Sequence, residues 1–224
     1  YFEKIYTRLG TSFANYYFES AAGPIGLALV KEYIDKGVFS ESEGAVVFKG
    51  EEHGLHTRVF INSLGLPTYE AKELGLATKK YADYPFDLSI SITGNEINEY
   101  FKVLLKVLSL IKPEIAEKTK HISHGMVRLP EGKMSSRTGN VLTGEWLLNE
   151  AKGRLKSAYP EMTEETLEQV TVAAIKWALL RSGIGKDISF NIDESISFEG
   201  DSGPYIQYTF ARTQSVLAKS KEHN

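Results

Sequence analysis

The chain has 224 residues, 42 % of them hydrophobic and 25 % charged, with a formal net charge of −3. That composition belongs to a folded protein, and no apolar run approaches the ~20 residues that cross a bilayer. Cysteine is absent, which excludes disulfides and thiolate metal sites and suits a reducing cytosol. A slightly acidic average leaves a nucleic-acid partner open, because such binding needs a local basic face and not a basic mean. The length fits one large domain, or one domain plus part of another. The chain opens on YFEKIYTRLG, a helical pattern already under way, and stops on SVLAKSKEHN in another. It therefore reads as a piece of a longer protein.

In chain order, residues 1–37 place apolar side chains at helical spacing, as in Ile25, Leu29 and Tyr33. SAAGPIG interrupts this pattern, and Pro24 suits the first turn of a second helix. SEGAVVFKG (42–50) reads as a short strand. TRVFINSLGLPT (57–68) reads as a strand ending in a turn at Gly65 and Pro67, followed by a helix over 69–81. FDLSISITG (86–94) alternates with the strand period and ends on glycine. A helix over 96–111 carries the stripe Ile97, Phe101, Leu104, Leu105 and Leu108. HISHGMVRL (121–129) is a further strand, and a helix runs from about Thr143 to Ser157.

This alternation predicts an α/β unit with a parallel sheet, whose ligands bind outside the carboxyl ends of the strands, where Gly94 and the 129–140 loop fall. Beyond Pro160 a long helix over 163–182 is apolar almost all round, which predicts burial between layers. Thr163 suits its N-cap and Gly183 its C-terminal cap. DISFNID (187–193) alternates like a strand. Pro204 opens a last helix with the stripe Ile206, Phe210, Thr213, Val216 and Leu217.

The segment EGKMSSRTGNVLTG (131–144) combines Lys133, Ser135, Ser136 and Arg137 between Gly132 and Gly139. Glycines let backbone N–H groups approach an anion, and lysine is a point charge that follows a phosphate as charge moves. Hydroxyls and a guanidinium add donors. A bare K-x-S-S-R is more often a solvated basic turn; a strand before it and a helix after it favour phosphates.

GKMSSRTGNV resembles the KMSK-type loop of class I aminoacyl-tRNA synthetases, in the arginine-specific form in which Ser136 and Arg137 replace the last lysine. GPYIQYTFARTQSVL (203–217) resembles the helix that opens the anticodon-binding domain of arginyl-tRNA synthetases. The ALLRSG…ISFNIDESISFEGDSG stretch before it resembles the segment that links this domain to the catalytic core. YEAKE within LPTYEAKELGLATKK (66–80) is similar to the family's T-Y-x-x-x-D helix, with Glu73 in place of the usual Asp. SITGNEINEYF (91–101) is similar to a strand end and helix with a G-x-D-H or G-x-Q pattern, with Ile97 in place of the usual His. The upstream H-I-G-H signature of the class is not in this chain, and HISHG (121–125) is not its equivalent.

The resemblance implies the second half of a Rossmann-like nucleotide-binding domain followed by a mainly helical region. Its expected parts are a helical lead-in (1–50), the C-terminal half of the catalytic domain (51–160), a helical linker (161–202) and the first helix of the anticodon-binding domain (203–224). It implies arginine–tRNA ligation, with ATP, Mg²⁺ carried by ATP, L-arginine and tRNA(Arg) as partners, in a cytoplasmic monomer. Another class I synthetase and a non-catalytic tRNA- or partner-binding module are the rival readings.

The roles implied by the family fall on specific positions. Lys133 stabilises charge on the phosphates, and Ser135, Ser136 and Arg137 shape the loop. His124, Gly125, Met126, Val127, Gly94, Asn95 and Glu96 contact ATP, with Met126 and Val127 offering backbone to adenine. Tyr69 and Glu73 hold arginine, the carboxylate facing a guanidinium. Gln207, Tyr208 and Arg212 serve the domain junction or tRNA. No resident metal is implied.

Overall fold

The computed structural model describes residues 1–128 and 143–222. Helix α1 (Phe2–Arg8) and helix α2 (Glu19–Ile34) are followed by β1 (Ser40–Ser42), β2 (Ala45–Phe48) and β3 (Arg58–Ile61). Then come α3 (Tyr69–Asp83), β4 (Ser89–Gly94), α4 (Asn98–Ile111), α5 (Pro113–Glu117) and β5 (Thr119–His124). The remainder holds β6 (Val127–Arg128), α6 (Gly144–Ala158), α7 (Glu164–Leu180), β7 (Ile188–Ser189), α8 (Ile192–Ser195) and α9 (Gly203–Glu222). Packing divides the chain into two compact units, Phe13–His124 and Tyr1–Ser12 with Gly125–Asn224. Packing runs straight through residue 50, because Val46 and Phe48 share one core with Phe60 and Leu74. It also runs through residue 160, because Leu148 and Leu155 share a second core with Leu167 and Phe190.

In the Phe13–His124 unit the architecture is mixed α/β. Strands β4 and β5 pair in parallel from Ser89↔Thr119 to Gly94↔His124, the crossover passing through α4 and α5. The expected stripe of α4 faces the core, where Phe101, Leu104 and Leu108 are buried with Val103 and Val107. Strand β3 departs from expectation. It pairs antiparallel with β2, and β2 with β1, in a separate three-stranded sheet. The connection over 49–57 is too short for the crossover of a dozen or more residues that parallel pairing requires. Pro24 also differs. Helix α2 begins at Glu19, so Pro24 lies in its second turn, and the carbonyl it leaves unpaired belongs to the exposed Ser20.

Helices α2 and α3 approach until only small residues fit. A Cβ placed on Gly26 would lie 1.8 Å from the Ala71 carbonyl oxygen, and one on Gly75 would lie 2.1 Å from that of Ala22. Ala22 and Gly26 on one helix thus face Ala71 and Gly75 on the other, each pair four residues apart and so on one helical face. Thr68 ties the start of α3 to β3, its hydroxyl donating to the Val59 carbonyl at 2.7 Å.

In the other unit, α7 packs against α6 and α9 and buries Leu167, Val170, Ala174 and Ile175. Thr163 caps it as expected, accepting from the Thr166 N–H at 3.2 Å. Leu180 is 77 % exposed, so the helix is not buried all round. Its C-terminal cap is Arg181 and not Gly183, and the left-handed turn before β7 falls to Gly185. The strand expected over 187–193 shortens to Ile188–Ser189, because the Asn191 side chain accepts from the Asp193 and Glu194 N–H groups and starts α8. The strand expected over 121–129 breaks at Gly125 into β5, which joins β4, and β6, which joins β7. The stripe of α9 lies on an exposed face, with Ile206 and Phe210 44 % and 65 % accessible among the described residues.

Gly75→Ala should destabilise the protein by about 1–3 kcal/mol, the usual cost of forcing a methyl into a packed contact. Gly153→Ala, in the exposed interior of α6 with nothing within 4 Å of the added carbon, should be neutral or stabilising. Chemical denaturation of the two variants checks both.

Candidate functional site

Helix α3 presents the first cluster. Tyr69 opens the helix, and Glu73 stands one turn later on the same face. The Tyr69 ring packs on Tyr100 of α4 with centroids 5.1 Å apart, and the Tyr100 hydroxyl donates to the Tyr69 carbonyl at 3.3 Å. Glu73 borders a small cleft between α3, β4 and α4 with Lys80, Ser89, Ser91 and Phe101. Lys80 is committed elsewhere, donating to the Ser89 hydroxyl at 2.8 Å. Among the described residues Glu73 makes no ion pair or hydrogen bond.

Burial raises the Glu73 carboxyl above its ordinary value; Lys80 opposes this, and Glu19 adds to it. Burial and then Glu73 push the Tyr69 phenol up, so it remains a hydroxyl donor. Burial raises the Tyr100 hydroxyl further, with Glu73 and Glu70 assisting. A half-buried carboxylate with no ion pair or hydrogen bond among the described residues, near two neutral phenols, is chemically suited to a cation.

The second cluster sits at the carboxyl ends of β4 and β5. Gly94 and His124 are register partners there, and Asn95 and Glu96 form the turn that follows. The Glu96 carboxylate folds over Gly94, where a Cβ would come within 2.3 Å of it. Beside them, Thr93 and His121 share a 2.7 Å hydrogen bond, and the His121 ring stacks on Phe101 at 3.9 Å. Burial lowers the His121 pKa, favouring the neutral ring. Neither Thr93 nor His121 stands out in the sequence.

The remaining expected ATP residues, Gly125, Met126 and Val127, belong to the other unit. Gly125 lies flush against the chain, since a Cβ there would meet the Lys186 carbonyl at 2.0 Å. Met126 uses both backbone groups within its own unit. Its N–H donates to Asp187 Oδ1 at 2.9 Å, and its carbonyl accepts from the Ile188 N–H at 2.9 Å. Val127 pairs in parallel register with Ile188, so its own N–H and C=O point away from β7. Arg128 closes the segment with two bonds to Asp187 Oδ2, at 2.9 and 2.7 Å. Sequence reasoning passed over Arg128 and Asp187; their signal is an acid placed just before one strand and a base at the end of another.

Lys133, Ser135, Ser136 and Arg137 lie outside the described residues. On α9, the Gln207 amide donates to the Gln169 carbonyl at 3.4 Å while its oxygen is buried without a partner among the described residues. Gly203 seats the helix on α7, 2.2 Å separating a hypothetical Cβ from the Ala173 carbonyl. Tyr208 and Arg212 are exposed and pair with each other, Arg212 Nη1 donating to the phenol at 3.1 Å. No group of three or more potential metal-ligating side chains occurs among the described residues, and no helix among them is long and apolar enough to cross a membrane.

Comparison with known proteins places this geometry in context. The profile of the family described as "tRNA synthetases class I (R), catalytic domain" matches residues 2–191. An arginine–tRNA ligase from Bacteroides thetaiotaomicron is 37 % identical over 232 residues, covering 99 % of this chain and 39 % of that protein. One from Clostridium acetobutylicum is 34 % identical over 227 residues, covering 99 % of this chain and 40 % of that protein. The chain thus spans about two fifths of the length of these relatives. The Thermus thermophilus arginyl-tRNA synthetase structure superposes with a TM-score of 0.76 at 24 % identity, covering 97 % of this chain and 44 % of that one. The Plasmodium falciparum arginyl-tRNA synthetase gives 0.76 at 19 %, covering 97 % and 38 %. Both superpositions speak for the fold alone. The family profile spans most of the chain, and on that ground this chain belongs to the class I arginyl-tRNA synthetase catalytic-domain family.

Proposed function

We propose that the protein carrying this chain ligates arginine to tRNA(Arg). Arginine and ATP form arginyl-adenylate and pyrophosphate, and the arginyl group then passes to the terminal ribose of the tRNA. The observation that carries this reading is Glu73, a half-buried carboxylate that makes no ion pair or hydrogen bond among the described residues and lies near Tyr69 and Tyr100. A guanidinium supplies the missing charge and, by its fork geometry, two parallel hydrogen bonds. Family membership supports ATP as the second substrate, with Mg²⁺ carried on its phosphates.

In this reading Gly94, Asn95, Glu96 and His124 serve ATP at the carboxyl ends of β4 and β5; in the other unit Val127, whose own N–H and C=O turn away from β7, serves it through its backbone. Lys133 moves with the phosphates as the arginine carboxylate attacks the α-phosphorus and pyrophosphate leaves; Ser135, Ser136 and Arg137 shape its loop. Gln207 seats α9 on α7, and Tyr208 and Arg212, bonded to each other on the exposed face, meet tRNA. The setting is the cytoplasm, and the protein acts as a monomer.

Two tests follow for the intact protein. Glu73→Gln should weaken arginine binding by about 10²-fold, the scale of losing a charge-assisted bidentate pair, while leaving ATP binding in place. Arginine affinity of the wild type should fall as pH drops through the raised Glu73 pKa, and the Gln variant should lack that dependence; titration calorimetry across the mildly acidic range decides this. Because the folded protein holds this proton more tightly than the unfolded chain, ionised Glu73 costs stability as pH rises through the same window. The Gln variant should therefore melt no lower than wild type at neutral pH.

Lys133→Ala should cut arginyl-adenylate formation by roughly 10²-fold or more with arginine affinity unchanged, since the lysine acts on charge that develops in the transition state. Rapid-quench measurement of adenylate formation checks this, and an unchanged rate would return the loop to a plain surface turn.

A further inference from the structure

We propose that Asp187 is a positioning residue for the nucleotide, acting through β6; this rests on the reading of Val127 as its backbone contact. One carboxylate grips both ends of a three-residue segment. Oδ1 accepts the Met126 N–H at 2.9 Å, and Oδ2 accepts Arg128 Nε at 2.9 Å and Nη2 at 2.7 Å. The ladder to β7 secures the same two residues, with the Ile188 N–H on the Met126 carbonyl and the Phe190 N–H on the Arg128 carbonyl. Val127 lies between these anchors with its N–H and C=O turned the other way. Gly125 removes the last slack, its backbone pressed against Lys186 and Asp187 so closely that a Cβ would stand 2.0 Å from one and 2.4 Å from the other.

The ion pair itself contributes little to stability. Both charged partners are open to water, with side-chain accessibilities of 55 % for Arg128 and 41 % for Asp187, and exposed pairs stabilise folds little. A third bond from a backbone N–H to the same carboxylate is what a device for fixing a strand edge would have. A ligand that reads backbone N–H and C=O groups depends on their position to within a fraction of an ångström. The fixed edge is one strand residue long and carries one donor and one acceptor, which is the hydrogen-bonding pattern along one side of a purine.

The test compares Asp187→Ala, Asp187→Asn and Arg128→Ala with wild type in the intact protein. ATP affinity is measured by calorimetry without amino acid, arginine affinity separately, and melting temperature alongside. Asp187→Ala should weaken ATP about tenfold through displacement of the edge, with arginine affinity within about twofold. The melting temperature should stay within about 3 °C of wild type, as for loss of an exposed pair. Asp187→Asn, whose amide oxygen still accepts the Met126 N–H, should recover most of the affinity, and Arg128→Ala should fall between the two. Unchanged ATP affinity in Asp187→Ala overturns the proposal. So does an equal loss of ATP and arginine binding with a lowered melting temperature, because that marks a structural role only. If wild type binds ATP but does not charge tRNA with arginine, the ligase reading fails while the Asp187 comparison still stands.

Discussion

The contact between α2 and α3 is the constraint on which the placement of Tyr69 and Glu73 depends. Glycine and alanine at facing positions let the two backbones touch, so that the Ala71 and Ala22 carbonyls occupy space that side chains would take elsewhere. Such a contact has one tight geometry. It fixes the axis of α3, and with it the rotation that presents Tyr69 and Glu73 on one face while Leu74 and Ala71 enter the core. Thr68 fixes the start of the same helix against β3, and Tyr100 closes over its first turn from α4. Among the described residues Glu73 makes no ion pair or hydrogen bond, so its position is inherited from this packing.

Glu73 then illustrates how function and stability pull apart. The position is buried enough to disfavour charge, yet a charge is what a cationic substrate requires. The fold tolerates the mismatch because its cores are large and apolar and the carboxylate borders a cleft. Glu73 is one methylene longer than the aspartate usual in its family. The carboxylate therefore reaches further from α3 than an aspartate would.

Much of the architecture was legible in the sequence, because periodicity records which face is buried. The α4 stripe and the Thr163 cap are local signals, and each has its counterpart in the structure; β4 forms where its alternation predicts a strand, but its buried face is reversed, with Ile90 and Ile92 45 % and 68 % accessible and Ser89 buried. Pairing direction is not local. Nothing within TRVFINS distinguishes an antiparallel partner from a parallel one; the short 49–57 link decides it, and only once β2 is known to be a neighbour. The break at Gly125 was hidden for a similar reason, since it depends on the Lys186 carbonyl some sixty positions away in sequence. Tyr69 and Glu73 came from the resemblance of TYEAKE to a family motif, and the structure places them one turn apart on one face of α3. Arg128 and Asp187 were not, because an ion pair between two short strands leaves no periodic trace. The roles of Lys133 to Arg137, which lie outside the described residues, rest on resemblance.

The outward-facing stripe of α9 has a consequence for handling the molecule. Tyr205, Ile206, Phe210, Val216 and Leu217 all meet water, each more than 40 % accessible among the described residues. Apolar groups repeating along one rigid rod make a surface that two copies can share, and a net charge of −3 offers little repulsion to keep copies apart. Colloidal behaviour of this chain in isolation should therefore be governed by a helix that contributes little to its core, and salt, which screens what repulsion exists, should worsen it.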